Sequence, residues 1–162
     1  MHPDAGNFIA EFKTAGLITV VEIGSRDING TVRHLFPNAT WTGLDLYAGP
    51  AVDVVCNAAE WTPPSLVDMV VCCEVLEHAA NWRQLIGAAF RRLKPDGVFL
   101  VTCAAPGRAA HSHHDGQLLR DGEYYENLSG KQIAEVCVEV GFQVIQTRQG
   151  LYDTYAHCTK EA

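Results

Sequence analysis

Glu22, Gly24 and Asp45 are the residues whose types and spacing speak most directly of chemistry. Glu22 lies near the end of an apolar run, Val20-Val21-Glu22-Ile23, and Gly24 follows that run at once. Asp45 closes a second apolar run about 20 residues further on. A glycine turn lets backbone approach a ligand closely. An acid at the end of the next strand accepts hydrogen bonds from ribose hydroxyls. The unit is a grip for a sugar nucleoside, so an adenosine-type cofactor and an enzyme are expected. Ser25, Arg26 and Asn29 belong to the same turn. Backbone N–H groups at Asn29-Gly30 would face the cofactor; a plain helix start, and an ion pair between Arg26 and Asp27, are the alternatives.

A second group of polar residues follows the later apolar runs. Glu74 lies at the carboxyl end of Met69-Val70-Val71-Cys72-Cys73, where open sheets bind ligands. His78 comes soon after and titrates near neutrality, which suits a general base; a histidine at a helix start is the alternative. Arg108, His111, His113, His114, Tyr124 and Tyr125 sit in one irregular stretch, residues 104–128. His113 is a further candidate base, and the others are expected to touch substrate. The spacing His-x-His-His lacks a zinc pattern and needs ligands from elsewhere, so no metal is expected. A polar lid that orders over substrate is the reading for 104–128, because Gly107, Gly116 and Gly122 keep its backbone free.

The bulk composition narrows the class. The chain has 162 residues, 48% of them hydrophobic, which fits one globular domain. A net charge of −7 disfavours a broad grip on a phosphate backbone. No apolar run reaches the length of a membrane span, and Met1-His2-Pro3-Asp4 lacks the marks of a leader. Six cysteines without a Cys-x-x-Cys pair read as buried reduced thiols, hence a cytoplasmic setting.

Apolar runs alternate with helical patterns, which predicts an α/β fold: a doubly wound, mostly parallel sheet with helices on both faces. Strands are expected over 18–23, 40–45, 52–55, 69–73 and 97–103. Helices are expected over 4–15, 31–36, 81–93 and 130–140. In the third, Leu85, Ile86, Ala89, Phe90 and Leu93 form an apolar stripe, and Arg91, Arg92 and Lys94 crowd the end that favours cations. In the last, Ser129 and Gln132 form a capping box and Gly141 stops the helix. Strand-like runs at 142–149 and 152–159, parted by Gly150-Leu151, predict an antiparallel hairpin that completes seven strands.

This order of elements resembles the class I S-adenosylmethionine-dependent methyltransferases. Val20-Val21-Glu22-Ile23-Gly24 resembles their first motif, and Gly43-Leu44-Asp45-Leu46 the strand whose acid holds the ribose. Asp68-Met69-Val70-Val71-Cys72-Cys73-Glu74-Val75-Leu76-Glu77-His78 resembles the fourth strand and its loop in the small-molecule subfamily, and Leu93-Lys94-Pro95-Asp96-Gly97-Val98 its turn into strand five. The resemblance implies a Rossmann-like methyltransferase fold, S-adenosylmethionine as cofactor, and methyl transfer to an unidentified acceptor, a small molecule or a partner macromolecule. It implies that Glu22 orients the methionine ammonium, that Leu46 flanks the ribose, and that Asn57 and Ala58 border the adenine, with Trp61 either over the adenine or filling a gap. Arg26 and Ile28 stand where the family has its later glycines, and Asn57 where it often has an acid. A module that binds the cofactor without turnover, and a nicotinamide oxidoreductase, are the rival classes; assembly with a second copy is left open.

Overall fold

The computed structural model describes residues 3–162. Met1 and His2, the start of the stretch read for a leader, lie outside the described residues. The strands are β1 (Thr19–Ile23), β2 (Thr40–Asp45), β3 (Val54–Val55), β4 (Val67–Cys73), β5 (Leu93–Ala104), β6 (Phe142–Gln149) and β7 (Asp153–Lys160). They form one seven-stranded sheet in the order β3-β2-β1-β4-β5-β7-β6. β1 pairs in parallel with β2 and β4, as do β2 with β3 and β4 with β5. β7 runs antiparallel to both β5 and β6.

Alternation along the central strands divides the core between two faces. Val21, Ile23, Val70, Cys72, Phe99 and Val101 pack with Trp82 and Ile86 of α2 (Trp82–Arg92) and Ile133 and Cys137 of α3 (Gly130–Val140). Val20, Met69, Val71 and Leu100 pack with Phe8 and Ile9 of α1 (Pro3–Ala10), and with Val32 and Phe36. Burial on both faces explains why β1 and β4 read as continuous apolar runs. None of the helices in the described residues is long and apolar enough to cross a membrane.

Local signals account for most element ends. Ser129 Oγ accepts from the Gln132 amide, the Gln132 side chain accepts from the Ser129 amide, and Gly141 ends α3 at φ 105°. Two expected helices shrink. The first stops at Ala10 instead of 15, because residues 13–16 bring no apolar group to bury and the Gly16 amide turns to Thr14 Oγ1. Phe12 still packs edge-on against Phe8, 5.3 Å between ring centres. The helix expected over 31–36 is a single 3-10 turn at Arg33–Leu35. β-branched Thr31 and Val32 and the following Pro37 disfavour more.

Asp68 ties three strand starts together. Its Oδ2 accepts from the Thr19 amide at 2.8 Å and Thr19 Oγ1 at 2.7 Å, and its Oδ1 from Lys94 Nζ at 2.7 Å. The lysine, then the threonine, hold the carboxyl down to about 2. At the other end of β1, Gly24 takes φ 72°, and a Cβ there would come within 2.1 Å of a Val75 methyl.

Two outcomes follow for stability. Asp68→Asn lowers the unfolding free energy by about 1 kcal/mol at pH 7, allowing for its partial exposure. A carboxyl held low in the folded chain stabilises above its unfolded value near 4, and that stability is lost as pH falls through about 2. Urea titrations should therefore show the gap between wild type and variant closing over that range. Gly24→Ala costs about 1–3 kcal/mol through backbone strain and the collision with Val75. Adding Val75→Ala should recover only part of this, since the positive φ remains.

Candidate active site

The carboxyl ends of β1, β2 and β4 and the loop after β5 surround a cleft of about 1050 Å3. The Gly24 and Ser25 amides both donate to the Leu44 carbonyl, at 2.8 and 3.0 Å, and so fold the turn after β1 back onto β2. Asp45 then faces that turn. Its Oδ2 accepts from the Arg26 amide at 3.2 Å and its Oδ1 from the Tyr47 amide at 2.9 Å. Leu46, Asn57 and Ala58 line the cleft beside it. Ser25 Oγ is buried there without a hydrogen-bond partner.

The departures from the glycine motif are absorbed without a helix. The Arg26 side chain lies along Gly49 and over the Tyr47 ring, 5.2 Å away. Asp27 does not pair with it; its Oδ1 accepts from the Gly30 amide at 2.7 Å. Asn29 and Gly30 line the cleft but start no helix. Asn57 spends its amide on Glu60 Oε1 and accepts from the Ala59 amide. Trp61 stands outside the cleft, packed on buried Arg92, whose guanidinium binds the Ala58 and Trp61 carbonyls. It packs against the core, as the gap-filling alternative has it.

Glu22 has a partner that the reading of the sequence missed. Arg33 Nε donates to its Oε2 at 2.9 Å, while Arg33 Nη2 reaches the Ala51 carbonyl at 2.6 Å and Asp53 at 3.6 Å. Gly43 makes room: a Cβ there would stand 2.3 Å from that Nη2. Burial pushes the Glu22 carboxyl up, and Arg33 pulls against it. Glu22 still lines the cleft.

Glu74 takes φ 57°, a strained value for a residue with a side chain. Its Oε1 accepts from Thr102 Oγ1 at 3.0 Å and its Oε2 from Arg108. The same Arg108 nitrogen binds Asp153, which is fully buried on β7. Arg108 lines the cleft, and its Nη1, shared by Glu74 and Asp153, anchors the start of the loop. The Asn127 side chain donates to the Ala105 and Arg108 carbonyls, and the Leu128 amide to the Ala104 carbonyl. Both ends of the 104–128 stretch are thus anchored, and exposure concentrates at residues 115–122.

The 3-10 turn Leu76–His78 carries the remaining polar groups. Glu77 is fully buried; its Oε1 accepts from the Ala104 amide, and its Oε2 has no partner. His78 Nδ1 is buried and also lacks one. Burial, then His111 and His113, push His78 down to about 4. The His78 and His111 rings lie 4.9 Å apart, with Tyr125 edge-on to both. His113 and His114 reach Glu123 Oε1 at 3.2 and 3.7 Å and pack on Tyr47. His113 and Tyr124 line the cleft, whereas His114 and Tyr125 stand behind it. Arg33, Tyr47, Glu77 and Asp153 were not singled out from sequence. Only Glu77, an acid beside Leu76 in the quoted strand-four string, left a signal there.

Comparison with known proteins agrees with this geometry. A methyltransferase domain family model matches residues 3–147. A probable S-adenosylmethionine-dependent methyltransferase of Mycolicibacterium smegmatis is 32% identical over 118 residues, covering 72% of this chain; the match spans only 41% of that protein's length. Among solved structures, 1,6-didemethyltoxoflavin-N1-methyltransferase of Burkholderia thailandensis, bound to 1,6-didemethyltoxoflavin and S-adenosylhomocysteine, superposes with a TM-score of 0.74 at 16% identity over 99% of this chain and 78% of that one. N-methyltransferase NodS of Bradyrhizobium japonicum, with S-adenosylhomocysteine, gives 0.69 at 15% identity over 98% and 87%. The seven-stranded mixed sheet is the Rossmann-like sheet of these neighbours, and the chain belongs to the methyltransferase domain family.

Proposed function

We propose that the cleft binds S-adenosylmethionine and that the chain moves its methyl group to a nucleophilic atom of a small-molecule acceptor. The observation that carries this is Asp45, fixed by two backbone amides opposite the Gly24 turn, with lone pairs left for a ribose diol. The cleft, at about 1050 Å3, has room for a nucleoside cofactor and an acceptor together. Glu22, Asp45 and Glu74 line it, the first and last already paired with Arg33 and Arg108. The relatives' names and bound ligands support the same reading.

The chemistry asks little of the protein. The methyl carbon passes from sulfur to the acceptor atom as one bond forms and the other breaks, and sulfur keeps the electron pair. Alignment alone supplies up to about 7–11 kcal/mol. Where the acceptor atom carries a proton, a neutral imidazole must take it, and His78 and His113 are the histidines of the first rank at the cleft, with His111 beside them. Substrate contacts come from His111, His113 and Tyr124 on the 104–128 lid, with His114 and Tyr125 supporting them. Six free thiols fit a reducing, cytoplasmic setting.

Calorimetry with S-adenosylhomocysteine tests the placement. Asp45→Ala should weaken binding by about 1–3 kcal/mol, with circular dichroism showing a folded variant and NAD showing no binding to either. Equal affinity in the folded variant would overturn it. Hydrogen exchange tests the lid: amides at 114–122 should exchange fastest in the free protein and slow when cofactor product and acceptor are present.

A further inference from the structure

We propose that Glu77, His78 and His111 form a site for one divalent transition-metal ion at the acceptor end of the cleft. Each residue offers one ligand atom, and the three atoms lie within 4.8 Å of one another. The surroundings ask for a cation there. Glu77 has no exposed surface, and its Oε2 is without a partner; His78 Nδ1 is buried and equally bare. A buried acid with an open oxygen is costly, and Arg108 turns its Nη1 to Glu74 and Asp153 instead. A shared ion needs each ligand atom about 2 Å from its centre. His111 lies on the loop, with its Nδ1 3.1 Å from the Ala109 carbonyl, so Nε2 is its ligand atom.

A second cluster, His113, His114 and Glu123, has ligand atoms equally close together but accounts for itself. Glu123 Oε1 already accepts from Ser112 Oγ, and its Oε2 from the Arg120 amide. Neither oxygen waits for an ion. Spacing within the loop does not show the first cluster, because two of its members lie more than 30 residues upstream of His111.

Two imidazoles and one carboxylate suit zinc, cobalt, manganese or iron better than magnesium or calcium, which prefer all-oxygen shells. Three protein ligands leave coordination positions open, and His78 and His111 both border the cleft. Resting on the methyl-transfer reading, the ligand for those positions is an acceptor hydroxyl. Bound to the ion, it gives up its proton more readily. His113 takes that proton, the oxygen forms the bond to the methyl carbon, and the carbon–sulfur bond breaks with its electrons left on sulfur. His78 is then a ligand and not a base.

Cobalt(II) alone, titrated into the full chain without cofactor, is the test. Visible d–d bands should saturate at one equivalent. His111→Ala should weaken binding at least tenfold, Glu77→Gln likewise, and His114→Ala should leave it unchanged. His111 lies on the loop, so its variant decides the matter even if Glu77→Gln does not fold. Absent bands, bands that survive His111→Ala, or bands lost in His114→Ala would overturn the assignment. The titration involves neither S-adenosylhomocysteine nor methyl transfer, so its failure is distinct from failure of the cofactor reading.

Discussion

Two guanidinium groups hold the carboxyl end of this sheet together. Taking a carboxylate out of water costs several kcal/mol unless a cation meets it. Glu22 and Asp153 are buried, and Glu74 is nearly so. Arg33 answers the first, and Arg108 answers the other two. Each pairing constrains the chain around it. Arg33 reaches Glu22 only because residue 43 has no side chain, and the segment that carries it spans from β1 to β2 as a loop with one 3-10 turn. Arg108 pins the start of the 104–128 stretch to β4 and β7 at once. The cleft is the space between these two fastenings. Removing either cation leaves an unpaired buried charge, a loss of about 3–5 kcal/mol.

Much of this was legible in the residues. The succession of elements along the chain, the closing hairpin, the capping box at Ser129 and the stop at Gly141 all follow from periodicity and local stereochemistry, which act over a few residues. Gly24 and Asp45 were legible for the same reason, since each sits where a strand must end. The pairings were not. Nothing in the neighbourhood of Glu22 indicates that its partner is Arg33, and nothing near Arg108 points to Asp153 on a strand 45 residues away. Such contacts are made by topology, and a single chain of letters shows the charges without showing which will meet. Trp61 illustrates the converse. Its position in sequence beside Asn57 and Ala58 left a cover for the adenine and a filled gap both open, and the Arg92 that lies over its ring and binds its carbonyl was not foreseen.

The Tyr47 ring follows Asp45 by two residues, and His113, from the opposite side of the cleft, stacks on it at 5.9 Å with the planes 17° apart. The contact ties the segment after β2 to the 104–128 loop. Any displacement of that loop must part the two rings, so the pair couples the loop's position to the residues that hold Asp45.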